Sequence, residues 1–162
     1  MVSLKFEIVQ EAPFSSPEEE ALLNLLRTSD GLQRAFHLKT RNTGITSTQY
    51  NVLRILRGAH PNGLTCTAIG SRMITAEPDI TRLLARLKAL KLIRQQRDSH
   101  DRRVLWTHIC AAGLDLLGKM DPVIRQLPKD LLGHLNPAEL SELIRLLERA
   151  RGPNCEQREA VS

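Results

Sequence analysis

The chain has 162 residues, 41% of them hydrophobic, with a mean hydropathy of −0.24 and a formal net charge of +5. That is enough for one domain with a real core, and no apolar run approaches the roughly 18 residues of a membrane span. The three cysteines (Cys66, Cys110, Cys155) have no metal-ligand spacing and leave one unpaired, which argues against a disulfide framework and for a reducing, cytoplasmic setting.

Residues 1–16 read as an N-terminal arm with some strand character (Leu4, Phe6, Ile8). Lys5, Glu7 and Glu11 interrupt any apolar core of the kind a signal peptide needs. Ser16-Pro17-Glu18-Glu19 then opens a helix, with Ser as the cap, Pro at the first position and Glu three residues after the cap. Leu22, Leu25, Leu26, Leu32, Ala35, Phe36 and Leu38 carry it to about Lys39, with Asp30-Gly31 as a weak point in its middle. A second capping box, Thr46-x-x-Gln49, carries Ile45 and Tyr50 at the positions of a hydrophobic staple. That helix continues through Val52, Leu53, Ile55 and Leu56 to Gly58, before a His60-Pro61-Asn62-Gly63 turn. Thr65 caps a short third helix, and a link through Ile74-Thr75-Ala76 follows.

From Arg72 to Arg103 the charge becomes informative. Nine of the chain's 23 basic residues and four of its 18 acidic ones lie here, an excess of five that equals the net charge of the whole chain. Outside this stretch, positive and negative charges cancel. Ile80, Leu83, Leu84, Leu87 and Leu90 follow amphipathic-helix spacing, with Pro78 suited to the first position. The opposite face holds Thr81, Arg82, Ala85 and Ala89, flanked by Arg86 and Lys88. A solvated surface helix would also carry charge. Here the small alanines between basic and hydroxyl residues allow close approach to a surface, as a helix entering the DNA major groove requires.

After that helix, Ile93–Arg97 and Arg103–Ile109 are β-prone runs around a polar turn, Asp98–Arg102, and read as a hairpin. An arginine-tipped hairpin behind a groove-reading helix is a wing, able to place a guanidinium in the narrow minor groove. The fifth helix (Leu114, Leu116, Leu117, Met120, Val123, Ile124, Leu127) contains Pro122, which should kink it. Asn136-Pro137-Ala138-Glu139 caps a sixth with Leu140, Leu143, Ile144, Leu146 and Leu147 as its stripe. The fold class expected is mainly α with a small β-hairpin wing, a winged helix-turn-helix over about 45–110. Flanking helices at about 17–42 and 111–151 complete a single unit, 17–151, and 152–162 is a polar C-terminal tail.

Asp101-x-Arg103, five further residues and then Ile109-Cys110 resembles the D-x-R-x5-L-T signature of the multiple antibiotic resistance regulator (MarR) family of bacterial transcription factors. Ile80–Leu87 looks like the family's recognition helix. Thr46–Leu53 is similar to its second helix and Leu135–Leu140 to the start of its last. Two departures stand out. Cys110 replaces the hydroxyl that would cap the next helix, and Lys91 stands where a glycine usually ends the recognition helix, so that helix is expected to lack a left-handed cap.

The resemblance implies a homodimer held by the surplus apolar helices, acting on an inverted repeat in double-stranded DNA as a transcription regulator, read here as a repressor. It also implies a small aromatic or anionic effector between the dimer helices and the wing domain, for which Arg34, His37 and Tyr50 are the polar candidates. The DNA-binding residues expected are Thr81 and Arg82 at base edges, Arg102 and Arg103 at the wing tip, and Arg72, Arg86, Lys88 and Arg97 on phosphates. Asp101 is expected to orient the wing by holding an arginine side chain.

Other chemistries find little here. Gly113 to Lys119 has the spacing of a phosphate-binding loop, but Met120 stands where Mg²⁺ needs Ser or Thr, and Leu114, Leu117 and Met120 have helical spacing. The five histidines lie apart, so no metal and no cofactor is expected. Cys66 follows the Thr65 cap, where a thiol pKa can fall, although a packed structural cysteine is the simpler reading. Asp79 and Glu77 suit a helix first turn better than a cytosine contact, and Trp106 suits packing better than base stacking. No enzymatic constellation accompanies these residues. The alternative of different class is a winged-helix scaffold that binds protein or RNA.

Overall fold

Three side chains of one helix, Val52, Leu53 and Leu56, have no exposed surface at all, and the helix-turn-helix is assembled on them. The computed structural model describes residues 2–159, with side chains through residue 152. Its elements are α1 (Leu4–Glu7), α2 (Pro17–Thr40), a 3₁₀ turn (Arg41–Thr43), α3 (Ser47–Gly58), α4 (Cys66–Gly70), α5 (Ile80–Ala89), β1 (Ile93–Arg97), β2 (Leu105–Ile109), α6 (Ala111–Leu132) and α7 (Pro137–Glu159). The fold is mainly helical with a small antiparallel hairpin, as the sequence implies. Two compact units divide the chain between Val123 and Ile124, within α6.

In the first unit, α3 packs on α2, α4 and β2, while α5 packs on α4 and β1. Ile69 of α4, Leu84 and Leu87 of α5 and Leu117 of α6 complete the innermost layer. Each helix begins where its cap residue sits. The Thr46 hydroxyl accepts from the Gln49 N–H at 3.2 Å, and the Gln49 carboxamide accepts from the Thr46 N–H at 2.9 Å, closing a full capping box. Ser16 and Thr65 accept in the same way at the starts of α2 and α4. Glu19, expected to reach back to Ser16, instead accepts from the N–H and hydroxyl of Ser15. Helix α2 runs through Asp30-Gly31 without a break.

The hairpin pairs Ile93 with Ile109 through to Arg97 with Leu105. Leu64 joins its inner side by two hydrogen bonds with Thr107, 2.9 and 2.8 Å. Gly63 makes that approach possible: at φ +73, a Cβ there would fall 2.7 Å from the Thr107 carbonyl oxygen. Arg57 binds both carboxylate oxygens of Asp121 at 3.0 and 2.9 Å, tying α3 to the middle of α6. Helix α6 continues through Pro122 and Pro128, with Leu117 and Met120 buried. The phosphate-loop spacing from Gly113 to Lys119 lies inside this helix, and a Cβ on Gly113 would come 2.5 Å from the Leu92 carbonyl.

In the second unit, Leu127 is buried and Asn136 caps α7, its side chain accepting from Ala138 and Glu139 while Glu139 returns the bond to the Asn136 N–H.

Four expectations need correcting. The N-terminal arm holds a helix rather than a strand: the Glu7 and Ile8 N–H groups donate to Ser3 and Leu4, and Leu4 is buried. Pro78 lies before the cap residue of α5, Asp79, rather than in the first turn. The region assigned to a polar tail is helical through Glu159; residues 160–162 of that tail lie outside the described residues. Helix α5 does end in a left-handed cap, made by Lys91 at φ +58. The Lys91 N–H donates to the Lys88 carbonyl at 2.9 Å and the Leu92 N–H to that of Leu87 at 3.1 Å, the Schellman pattern. The backbone bonds and the burial of Leu92 hold a lysine where glycine is the ordinary occupant.

Candidate nucleic-acid interface

Helix α5 separates its faces cleanly. Leu83, Leu84 and Leu87 are buried, whereas Thr81, Arg82, Ala85, Arg86, Lys88 and Ala89 are exposed. Burying three leucines anchors the helix and leaves its basic side free, since an amphipathic helix has only one orientation that hides its stripe. Its N-terminus is fixed by Asp79, whose carboxylate accepts from the backbone N–H of Arg82 at 2.9 Å. That carboxylate therefore caps the helix, and the Arg82 guanidinium is left to point elsewhere.

The link ahead of α5 is pinned by a residue the sequence reading passed over. Asn51 is buried within α3, and its side-chain oxygen accepts from the Ile74 N–H at 3.1 Å. A lone polar residue inside the apolar run Tyr50–Leu53 was the available signal; its oxygen is paired, whereas its amide nitrogen is buried with no hydrogen-bond partner among the described residues. Arg72, at the start of this link, is exposed.

The wing is held by polar contacts. One oxygen of Asp98 accepts from the N–H groups of His100 and Asp101 at 2.8 and 3.0 Å, and the other accepts from the Trp106 indole N–H at 2.9 Å. These bonds, that of Asp101 foremost and then those of Trp106 and His100, hold the Asp98 carboxyl below the usual aspartate range. The Asp98 N–H donates to the Val104 carbonyl, and the Val104 N–H to the Asp101 carbonyl, both at 3.0 Å. The Arg97 guanidinium spans the turn to the Arg102 carbonyl at 2.7 Å. Arg102 and Arg103 occupy the turn with exposed side chains.

Asp101 bonds a different partner from the arginine side chain expected. Its carboxylate accepts from the backbone N–H of Arg103 at 2.9 Å, and no arginine side chain among the described residues reaches it. A two-residue Asx turn satisfies the carboxylate locally, more cheaply in entropy than ordering a long guanidinium would. Trp106, read as packing, is a hydrogen-bond donor as well.

All eight residues assigned to DNA are exposed: Arg72, Thr81, Arg82, Arg86 and Lys88 from the helix-turn-helix, Arg97, Arg102 and Arg103 from the wing. The three residues assigned to an effector differ in exposure. Arg34 and His37 are exposed, and Arg34 pairs with Asp30 of its own helix. Tyr50 is buried with its ring centroid 5.5 Å from that of Phe36, and burial pushes its phenol pKa up. An open depression of about 420 Å³ lies elsewhere in the first unit, lined by residues that include Thr43, Ile45, Leu92, Leu116, Asp115 and Lys119. Cys66 and Cys110 are half-buried and unbridged. No helix among the described residues is long and apolar enough to cross a membrane.

Comparison with known proteins follows the same lines. Residues 43–104, from the end of the 3₁₀ turn through α3 to the turn of the wing, match the model of the MarR family. A solved MarR transcription factor from Planctomyces limnophilus is 40% identical, with 84% of this chain and 98% of that one aligned at a TM-score of 0.65. BpsR of Bordetella bronchiseptica, whose DNA binding is regulated by 6-hydroxynicotinic acid, is 25% identical over 82% of this chain and 98% of its own, with a TM-score of 0.71. Among curated sequences, the uncharacterized HTH-type transcriptional regulator YkoM of Bacillus subtilis is 26% identical, covering 85% of this chain and 90% of its own.

Proposed function

The chain belongs to the MarR family of DNA-binding transcription regulators, and from that premise we propose that it acts as a homodimeric repressor on an inverted-repeat operator. The observation that carries this reading is the concentration of exposed basic residues on α5 and the wing, set against a chain that is electrically neutral elsewhere. In the proposed complex, Thr81 and Arg82 near the start of α5 meet base edges in the major groove. Arg102 and Arg103 place a guanidinium in the minor groove, while Arg72, Arg86, Lys88 and Arg97 meet phosphates.

Two sets of exposed apolar side chains support a second copy as partner: Leu22, Leu25 and Leu26 on α2 and, in the other unit, Ile144 and Leu146 on α7. Leucines spaced three and four apart on an exposed helix face are the mark of a covered stripe. Two-fold symmetry would then set the recognition helices about 34 Å apart, one turn of DNA.

A small-molecule signal tunes the affinity in this reading. Beside Arg34, His37 and Tyr50, the depression at Lys119 offers a second proposed seat: apolar walls from Ile45, Leu92 and Leu116 suit an aromatic ring, and Lys119 suits an anionic group. The regulation of BpsR by an aromatic acid supports that chemistry.

The test is an electrophoretic shift with duplexes from the protein's own upstream region, read against competitor DNA. Specific retention with a steep salt dependence is expected. Sedimentation should give twice the 18.2 kDa chain mass. A chain that sediments only as a monomer and discriminates no duplex contradicts the proposal.

A further inference from the structure

The wing tip has no apolar interior. Leu105 is exposed, and so are Ser99, His100, Asp101, Arg102 and Arg103. Its shape therefore depends on the bonds made by Asp98, the first residue of the turn, which collects two backbone N–H groups on one oxygen and the Trp106 indole N–H on the other. Trp106 belongs to β2, where it pairs with Gln96, so this last bond anchors the turn to the body of the hairpin. Of the remaining turn bonds, the one from the Arg97 guanidinium to the Arg102 carbonyl also starts from a strand, whereas those of Asp98 with Val104, Val104 with Asp101 and Arg103 with Asp101 stay within the turn. We infer that Asp98 and Trp106 form a latch that positions the Arg102–Arg103 turn for the minor groove, making both of them positioning residues for DNA recognition.

The physical argument is one of pre-organisation. An exposed turn of seven residues has many conformations of similar energy, and DNA binding has to select one, at a cost in affinity. A bond between an ionised carboxylate and an indole N–H is stronger than one between neutral groups. It also closes the turn onto an element already fixed by the Ile93–Ile109 and Leu64–Thr107 pairings. The turn then meets DNA in the conformation it keeps when free. Neither latch residue has to touch the nucleic acid.

This inference rests on the wing assignment made above, and its experiment separates the two. The probe is a duplex selected by the full-length protein from a random-sequence pool. Trp106→Phe keeps an aromatic ring and removes the N–H together with the pyrrole part of the indole; Arg102→Ala and Arg103→Ala remove, one at a time, the two wing-tip guanidiniums. Minor-groove protection at the half-site flanks is read by hydroxyl-radical cleavage, and major-groove contact by protection of guanine N7 from methylation. Trp106→Phe should bind about three- to tenfold more weakly, the range one net hydrogen bond gives. It should lose flank protection, keep guanine protection and melt with the unmodified protein. Loss of flank protection in Arg102→Ala or Arg103→Ala but not in Trp106→Phe overturns the latch alone. An unchanged flank in both Arg102→Ala and Arg103→Ala overturns the wing assignment and the latch with it. Equal loss of guanine and flank protection in Trp106→Phe, with a lowered melting temperature, makes Trp106 a packing residue and also overturns the latch.

Discussion

Helix α5 and the wing present similar side chains, yet they are held in place by different physics. The helix is fixed by Leu83, Leu84 and Leu87, which are buried where α5 packs on α4 and β1. Its position is inseparable from the core, and its arginines inherit that position. The wing tip has no such face. Its geometry comes from two carboxylates and a guanidinium bonded to the turn's own backbone, and from an indole bonded to one of those carboxylates. Non-directional burial sets where a rigid rod lies, whereas directional bonds set the shape of a short exposed turn. Damage to the helix side should therefore appear first as lost stability. Damage to the wing should appear as lost DNA contact with stability unchanged.

The largest expected effect lies on the helix side. Leu84→Ala removes a side chain with almost no exposed surface, and should cost about 2–5 kcal/mol of unfolding free energy. Urea denaturation measures it, and a loss below 1 kcal/mol would mean that α5 is not anchored as described. Next comes the exposed face of the same helix. Arg82→Ala should leave stability alone, because its bond to Asp79 uses the backbone N–H, and should weaken operator binding by about 1–3 kcal/mol with relaxed sequence preference. Equal weakening on specific and random duplexes would reassign Arg82 to phosphate. The smallest effect belongs to the hinge between the regions. Lys91→Gly relieves a left-handed lysine, worth about 1–2 kcal/mol, but adds unfolded-state freedom worth up to about 1 kcal/mol, so a net gain of about 0.5 kcal/mol is expected. The same change deletes a positive charge, so DNA binding should weaken slightly while the melting temperature rises. Opposite signs in the two assays distinguish strain from charge.

Much of this was legible in the sequence because the signals are local and chemically specific. Thr46 with Gln49 and Asn136 with Glu139 form capping boxes at the positions their spacing marks. The leucine period of α5 predicts its buried face, and the Ile93–Arg97 and Leu105–Ile109 runs pair with the turn between them. The resemblance to the MarR signature at Asp101 and Arg103 gave the family. What escaped depends on who is close in space. Leu4, Phe6 and Ile8 alternate as in a strand, but one turn of helix buries Leu4. Lys91 departs from the glycine rule, and only the bonds from Leu92 and Lys91 to the preceding turn show why the conformation persists. Asp98 looked like one turn residue among several. Its importance appears only with Trp106 placed 2.9 Å away. Arg34, His37 and Tyr50 were grouped by helix membership, which does not reveal that Tyr50 is buried while Arg34 and His37 are exposed.

The account stands or falls on whether the wing's acidic residues act through geometry rather than charge. Asp101→Ala puts the two in opposition. Removing a negative charge beside DNA should tighten binding if Coulomb attraction is all that matters. Removing the acceptor of the Arg103 N–H should loosen the turn and weaken binding if the wing is pre-shaped. Operator affinity of Asp101→Ala, measured at physiological salt beside Arg103→Ala, decides between them. The account predicts weaker binding for Asp101→Ala, smaller in size than the loss in Arg103→Ala; tighter binding would contradict it.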